Sequence, residues 1–329
     1  GIDLIITDHH ILAPEIPDAY AIINQKQKEC DFPYEEVCGA QIAWYLIASL
    51  KNALDVKIDM MGYMELVAIA IIADMMPLQH INRAMVLSGI KALNKSRRPA
   101  IKAFLEHSQK ETLNAEDIGF FLAPLLNSAG RMEDASFAVD FLASKNIYDA
   151  RVRLERLIEF NTLRKATEHD ITQKALQQVD HNNEVIIVVG EAWHEGVVGI
   201  VAARVARACE KPCIVLTKSE EGLLKGSGRS YGSCDLFSIV DGCRSHLEKF
   251  GGHQAAIGLS LREESLEAFR SEVQKNFKEG DHVHEVLDPH IVGDLHFSTI
   301  SFDLTAVVKK FEPYGEGNSA PKFISTNVE

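Results

Sequence analysis

The feature that most constrains the fold is a long segment, residues 149–179, that contains neither glycine nor proline. Its polar and apolar residues follow one continuous helical pattern, with none of the residue types that commonly end a helix. At about 1.5 Å per residue, such a helix would be a rod of roughly 45 Å. A rod of this length between two folded regions is most simply a connector between domains.

On either side of this segment, short apolar runs alternate with helical patterns, which predicts two α/β domains with parallel-type sheets. In the first region, residues 2–7 predict a buried parallel strand. Residues 63–73 are apolar nearly all round and predict a buried helix that ends before Pro77. Further helix signals there are caps at Asn82 and Asn114 and a first-turn proline at Pro99.

The second region continues the alternation of strands and helices. Strands are predicted at 185–190, 213–217 and 255–261, and helices at 196–209, 236–249 and 264–277. Short β-like runs in the tail predict the start of a small β-barrel. The predicted layout is a first domain at 1–147, a connecting helix at 148–182, a second domain at 183–280 and a partial barrel at 286–329.

Charge and cysteine content limit the possible partners and compartment. The formal net charge of −13 argues against a broad basic surface, so nucleic-acid binding would need a local positive groove, metal ions or a further part of the protein. No apolar run reaches the roughly 18 residues that a membrane span needs. The six cysteines form no Cys-x-x-Cys pair, which predicts reduced thiols in a cytoplasmic protein.

Three side chains that can bind metal, Asp8, His9 and His10, directly follow the first predicted strand. Ligands of open α/β sheets bind beyond the carboxyl ends of the strands, so a site is expected here. Imidazole and carboxylate together suit Mn²⁺, Mg²⁺ or Zn²⁺, and an aspartate beside a histidine can fix its tautomer. The alternative is a capping aspartate followed by two surface histidines.

Asp74 is the second candidate metal ligand, because it ends the otherwise apolar helix predicted at 63–73. A carboxylate there is costly to bury unless it is paired or metal-bound. The helix dipole also disfavours an aspartate at a helix C-terminus. The alternative is that Asp74 accepts backbone N–H bonds from the following turn.

Three further stretches predict anion binding. Asn127–Arg131 predicts a loop of small residues with exposed amides, followed by a guanidinium fork that suits phosphate. Gly226–Ser230 and Gly251–His253 predict glycine-rich turns that a ligand can approach closely. Each could be an ordinary turn, but two glycine-rich stretches in one domain favour an anion site. The candidate residues are Asn127, Arg131, Ser227, Arg229, Ser230, Gly251, Gly252 and His253.

Taken in order, these motifs resemble those of the DHH phosphoesterase family over essentially residues 1–329. Asp8-His9-His10 matches the motif that names the family, and Asp74 lies in a segment similar to its later aspartate motif. Gly251–His253 matches the Gly-Gly-His of its substrate-binding domain, DHHA1. Segments similar to those of its single-stranded-DNA-specific exonucleases are 126–131, 193–200, 226–230 and, at the entry to an OB-fold barrel, 311–318.

The resemblance implies a two-metal phosphodiesterase that degrades single-stranded DNA from 5′ to 3′ into mononucleotides, in DNA repair and recombination. It implies Mn²⁺ or Mg²⁺ as cofactor, with His9 and Asp74 as ligands and Asp8 supporting the site. His10 would contact the scissile phosphate. Phosphates near the 5′ end would be held by Arg131, Arg229 and His253, assisted by Ser227, Ser230 and the glycine amides.

One departure from the family pattern concerns the metal ligands. The family's other metal-binding aspartates lie upstream of the triplet, in an Asp-x-Asp motif and a further aspartate, and no such pair precedes Asp8 here. We expect the sequence to be a fragment of a longer protein, with an incomplete ligand set that makes it inactive alone.

Three other functions remain open from the sequence. A phosphodiesterase of the same family could cleave short oligonucleotides or cyclic dinucleotides, although the barrel-like tail favours the long-strand nuclease. A non-catalytic replication scaffold could keep the same fold, although Asp8, His9, His10 and Asp74 argue against a decayed site; a plain nucleotide-binding module would not need the triplet. The expected partners are single-stranded DNA, a helicase and a single-strand-binding protein, for a monomer that does not bind membranes.

Overall fold

A computed structural model describes residues 1–12, 15–219, 222–279 and 291–326. Within these residues, none of the helices is both long enough and apolar enough to span a membrane. The helices are α1 (Gly39–Ala53), α2 (Met64–Ala73), α3 (His80–Leu93), α4 (Pro99–Ser108), α5 (Ala115–Asp117), α6 (Ala123–Met132), α7 (Ser136–Leu142), α8 (Ile147–Leu176), α9 (Glu195–Cys209), α10 (Leu236–Asp241), α11 (Leu266–Glu279) and α12 (Phe302–Lys309). The strands are β1 (Ile5–Thr7), β2 (Ala21–Ile23), β3 (Ile186–Gly190), β4 (Cys213–Lys218), β5 (Leu223–Arg229), β6 (Lys249–His253), β7 (Ala256–Arg262), β8 (Ile291–Asp294) and β9 (Lys322–Ile324).

The chain divides into two compact units. Unit 1 comprises residues 1–127, 136–157 and 289–329, and unit 2 comprises residues 128–135 and 158–288. The long helix predicted at 149–179 is confirmed as α8, a 30-residue helix over Ile147–Leu176. Its first part belongs to unit 1 and its second part to unit 2.

Unit 1 combines a short parallel sheet with a helical core. Strands β1 and β2 pair in parallel, with Ile5 opposite Ala21. Helix α2 is buried, as its uniformly apolar sequence predicts, and packs against α1 and α3. Its one charged residue, Glu65, is buried but paired with Arg98 at 2.7 Å, which offsets the cost of desolvating the carboxylate.

The helix signals of unit 1 were predicted correctly at two of three positions. Pro99 lies in the first turn of α4, and the side chain of Asn114 accepts the backbone N–H of Asp117. The cap predicted at Asn82 is wrong, because α3 begins at His80 and Asn82 lies within its first turn. The Asn82 side chain is fully buried and bonds other segments of the unit, which overrides its local capping preference.

The loop predicted at Asn127–Arg131 is also wrong, because these residues belong to helix α6. The small residues serve close packing there: Ser128 and Ala129 are fully buried. A Cβ on Gly130 would lie 3.3 Å from Cβ of Ala135. The backbone amides of this segment are therefore part of a helix and do not form an open cradle.

Unit 2 is built on a five-stranded sheet in the order β3-β4-β5-β7-β6. Helix α9 packs on one face and helices α10 and α11 pack on the other. The α/β class is confirmed, but the sheet is mixed rather than parallel, since only β3 and β4 pair in parallel. Only residues 219–222 connect β4 to β5, far fewer than the roughly twelve that a parallel crossover needs.

Both glycine-rich stretches predicted as turns lie in strands of this sheet. Gly226–Arg229 belongs to β5, and Gly251–His253 belongs to β6. Their glycines weaken the intrinsic strand signal, but β7 pairs with both segments and supplies the hydrogen-bond ladder. The helix predicted at 236–249 ends at Asp241, because β6 begins at Lys249.

The described part of the tail contains strands β8 and β9, which pair in parallel, and helix α12 between them. Residues 286–290 and 327–329 of the predicted barrel lie outside the described residues. The described residues 291–326 show this strand pair and helix rather than a barrel, so the barrel stays a prediction.

Candidate metal and phosphate sites

The triplet Asp8-His9-His10 follows β1 at the carboxyl end of the small parallel sheet of unit 1. The Asp8 backbone N–H donates to the carbonyl of Ile23 at 3.0 Å, which extends the β1–β2 pairing into the triplet. Nδ1 of His10 lies 2.7 Å from Oδ1 of Asp8. This bond is the main reason that the pKa of Asp8 is lowered, with backbone N–H groups of His9 and His10 contributing.

His9 and Asp74, 65 positions apart in the sequence, are brought together at the same place. Nε2 of His9 lies 3.6 Å from Oδ2 of Asp74. Asp74 is the C-cap of α2, as predicted, but its side chain is 45% exposed, so the burial argument made from the sequence was wrong. The chain leaves the helix at Asp74, which lets the carboxylate reach solvent beside the imidazole.

The neighbourhood of this pair contains few other groups able to bind a metal. Cys38 is buried, and burial together with the Asp74 charge raises the pKa of its thiol, so it is protonated at neutral pH. Among the described residues, groups of three or more His, Cys, Asp or Glu side chains placed to hold one metal ion are not found. The arrangement therefore supplies a donor pair, His9 and Asp74, beside the hydrogen-bonded Asp8.

Two residues that the sequence analysis missed support the triplet. Asn24 is buried and donates from Nδ2 to the carbonyl of His10 at 2.9 Å. A Cβ on Gly39, at the start of α1, would lie 3.5 Å from Cδ2 of His9, so the imidazole packs against this backbone. The position of Asn24 directly after β2 could have revealed it, because residues following parallel strands share one sheet edge.

Unit 2 contains a polar, glycine-containing sheet face. Across β5, β7 and β6, Ser227 is opposite Gly258, which is opposite Gly251. Because alternate residues of a strand share a face, Lys225, Ser227 and Arg229 project from the same face as His253. Lys225 and Ser227, with Glu195 of α9 at one side, line a cavity of about 420 Å³, whereas Arg229 and His253 lie outside its lining.

The glycines of these three strands fall into two groups. A Cβ on Gly251 or Gly258 would meet no atom within 4 Å, so these positions leave space above the sheet. A Cβ on Gly228 would lie 2.7 Å from Ile257, and Gly252 has φ +140° with Ala256 O 2.3 Å from its added Cβ. Packing therefore requires Gly228 and Gly252, whereas the fold does not require Gly251.

Two arginines lie beside this face and are held by backbone carbonyls. Arg131 donates from Nη1 to the carbonyl of Gly196 at 3.2 Å, and Arg229 donates from Nη1 to the carbonyl of Gly228 at 2.8 Å. Burial lowers the pKa of both guanidiniums, and nearby arginine charges lower it further, while the Glu168 carboxylate opposes the shift at Arg131. A bound anion would relieve this accumulation of positive charge.

The structure assembles most, but not all, of the predicted phosphate-binding residues. Within unit 2, β5 and β6 carry Ser227, Arg229, Gly251, Gly252 and His253. Ser230 follows β5 and bonds Ala255, and Asn127 lies on α6 in unit 1. The sequence analysis missed Ser260, a buried cavity-lining residue whose Oγ has no hydrogen-bond partner within the described residues.

Gly196 lies in the segment 193–200, and its lack of a side chain serves a close backbone approach. A Cβ on this residue would lie 2.0 Å from the carbonyl oxygen of Arg131. The absence of a side chain therefore lets the start of α9 pack against the segment that carries Arg131. The glycine positions the arginine.

Comparisons with known proteins identify the family of the chain. The profile of the DHH family, N-terminal domain, matches residues 1–71, and the profile of the DHHA1 domain matches residues 182–279. The chain belongs to the DHH family.

Within this family, the similar proteins are single-stranded-DNA-specific exonucleases called RecJ. The Salmonella typhimurium protein is 34% identical over 98% of this chain and 60% of its own length. The Bacillus subtilis protein is 33% identical over 100% of this chain and 42% of its own length. The chain thus spans about half the length of these relatives.

A solved structure shows the same likeness in three dimensions. The crystal structure of RecJ in complex with Mn²⁺ from Thermus thermophilus is 27% identical and superimposes with a TM-score of 0.88. The match covers 99% of this chain and 48% of that one.

Proposed function

We propose that this chain is part of a metal-dependent phosphodiesterase that degrades single-stranded DNA from the 5′ end to mononucleotides. The observation that carries the proposal is the 3.6 Å approach of His9 to Asp74 beside the Asp8–His10 pair. A structural role does not require a partly exposed imidazole–carboxylate pair at the carboxyl end of parallel strands. The exonuclease names of the relatives supply the substrate class.

The donor chemistry of the first site suits Mn²⁺ or Mg²⁺. His9 and Asp74 would ligate the metal, and the hydrogen-bonded Asp8 would support the ligand set. When bound, the metal ions would activate water and stabilise charge on the phosphate. His10, its imidazole fixed by Asp8 and its carbonyl by Asn24, would contact the scissile phosphate.

The sheet face of unit 2 would bind the phosphates near the 5′ end. Arg229 and Arg131 are fixed before a ligand arrives, which limits the entropy lost on binding. Gly251 and Gly258 leave room for a phosphate to approach the backbone. Ser227, Ser230, Ser260 and His253 would add hydrogen bonds, and the unpartnered Ser260 hydroxyl would gain one. Asn127 would assist in phosphate binding from its position on α6.

In this proposal, residues 1–147 would form the catalytic domain and residues 183–280 the substrate-binding domain. The connecting helix would join the two domains. The whole protein would act in DNA repair and recombination in the cytoplasm, as a monomer that meets a helicase and a single-strand-binding protein.

The test uses the full-length protein with single-stranded DNA labelled at either end. With Mn²⁺ present, a 5′ label should be released first as a mononucleotide, and duplex DNA should resist. Asp74→Asn should abolish release while retaining metal-free DNA binding. Preferential cleavage of a dinucleotide would instead favour the short-oligonucleotide phosphodiesterase, and full turnover by Asp74→Asn would refute the metal assignment.

A further inference from the structure

We propose that the tail turn, residues 312–318, is a positioning element that holds the loop following Asp74 and thereby sets the geometry of the metal site. This inference rests on the proposed function of Asp74 as a metal ligand. It concerns contacts within unit 1, to which both segments belong.

The loop that carries Asp74 has little helical support of its own. Helix α2 ends at Ala73 and α3 begins at His80. Met75 adopts φ +55°, a left-handed conformation that is uncommon for a side-chain-bearing residue. A segment with this conformation keeps its shape only when neighbouring structure fixes it.

A buried polar network fixes the inner side of the loop. Asn82 donates from Nδ2 to the carbonyl of Pro77 at 3.0 Å and to that of Glu36 at 2.6 Å. Its Oδ1 accepts from Nε2 of Gln41 at 2.8 Å, and both side chains are fully buried. The network connects the loop to the start of α1, where Gly39 contacts His9.

The tail turn fixes the outer side of the loop through its own backbone carbonyls. The carbonyl of Glu316 accepts from the backbone N–H of Leu78 at 2.7 Å. The carbonyl of Gly317 accepts from Nε2 of Gln79 at 2.7 Å. Nη2 of Arg83 donates to the carbonyl of Glu312 at 2.6 Å. Three hydrogen bonds therefore hold the turn against residues 78–83.

Two glycines let the tail turn lie directly on the loop. A Cβ on Gly315 would lie 2.7 Å from Cδ1 of Leu78. Gly317 has φ +65°, and a Cβ there would lie 3.0 Å from Cβ of Pro77. Asn318 stabilises the turn itself by donating from Nδ2 to the carbonyls of Phe311 and Pro313. The shape of the turn thus matches the surface of residues 77–78.

Because the loop is held on both sides, loss of the outer contacts should let Asp74 move away from His9. The inner network belongs to the core, so its removal would also disturb folding. The outer contacts of Gln79 and Arg83 are solvent-exposed and can be removed with less effect on the core. Variants at these two residues therefore test the position of Asp74 separately from the stability of the fold.

The experiment is a Mn²⁺ titration of the full-length protein, followed by the electron paramagnetic resonance signal of free Mn²⁺. The Gln79→Ala/Arg83→Ala double variant should need roughly tenfold more Mn²⁺ for half-saturation, a typical cost of losing outer-shell support. Arg83→Lys, which keeps a donor, should recover part of this loss. Metal-free binding of single-stranded DNA should not change.

Arg151→Ala is the matched control, since it removes an exposed arginine of the same unit that pairs with Glu106 on α4. Its Mn²⁺ affinity should equal that of the wild type. Gly317→Ala provides a second variant that disturbs the turn without removing a donor. The inference would be overturned if Mn²⁺ affinity were unchanged both in Gln79→Ala/Arg83→Ala and in Gly317→Ala while Asp74→Asn weakened Mn²⁺ binding. Unchanged affinity in Asp74→Asn would overturn the proposed function as well.

Discussion

The candidate sites of the two units differ in charge and in how their residues are held. In unit 1, acidic and imidazole groups meet with few bonds between them, and Asp74 is largely exposed. In unit 2, guanidiniums are partly buried and already hydrogen-bonded to backbone carbonyls. The difference indicates that a bound metal would fix the arrangement of the candidate site in unit 1. The arginines of the candidate site in unit 2 are already held in place without a ligand.

The largest effect should come from the donor pair of unit 1. His9→Ala or Asp74→Ala should lower kcat by at least about a hundredfold, because loss even of outer-shell metal partners costs up to about that much. The affinity for single-stranded DNA without metal should stay within about twofold. Steady-state assays over a series of Mn²⁺ concentrations would measure kcat, and fluorescence anisotropy without metal would measure the DNA affinity. A normal kcat in either variant would refute the proposed metal site.

A smaller effect, on binding rather than turnover, is expected in unit 2. Arg229→Ala should weaken DNA binding by about 1.5–3 kcal/mol, or roughly 10- to 150-fold, because a charge-assisted hydrogen bond is lost. Arg229→Lys should recover only part, since an ammonium cannot bind phosphate bidentately. Fluorescence anisotropy without metal measures this directly. Equal affinity for all three proteins would show that Arg229 has a structural role only.

Substitutions at two glycines of unit 2 should separate an effect on DNA binding from an effect on stability. Gly251→Val should change the free energy of unfolding by less than about 0.5 kcal/mol, because its Cβ meets open space. It should still weaken DNA binding by about tenfold through steric exclusion of phosphate. Gly228→Val is the matched control and should destabilise the fold by about 1–3 kcal/mol through overpacking against Ile257. Urea unfolding and anisotropy separate the two outcomes.

A separate effect concerns the stability of the unit 2 core at alkaline pH. Burial raises the pKa of Cys234 to about 11 and that of Cys243 to about 12. Thiols of the unfolded chain ionise near pH 8.5, so between about pH 9 and 11 the unfolded state binds fewer protons and stability falls as pH rises. Urea unfolding at pH 7.5 and pH 10 should show this fall. In Cys234→Ala/Cys243→Ala it should be smaller, and an identical fall would exclude these thiols as its cause.

The sequence analysis succeeded where local pattern and tertiary environment agree. Helix α8 and the buried α2 follow from composition alone, and the triplet after β1 follows from strand-end logic. It failed where tertiary contacts override local signals. Small residues pack α6 closely, β7 pairs glycine-rich segments into strands, and Asn82 is buried in a network instead of capping.

Other parts of the sites could not have been predicted from the sequence. The partners of Asn82 and Gln41 lie in segments that meet only in the folded chain. The tail turn contacts residues more than 200 positions away, and no local pattern encodes that contact. The difference between Gly251 and Gly228 likewise depends on which side chains of neighbouring elements face each position.

The most direct test of the division between the units measures two affinities in two variants of the full-length protein. Mn²⁺ binding and metal-free binding of single-stranded DNA are determined for Asp74→Asn and for Arg229→Ala. The account predicts that Asp74→Asn loses only Mn²⁺ affinity and that Arg229→Ala loses only DNA affinity. Loss of the same affinity in both variants would contradict it.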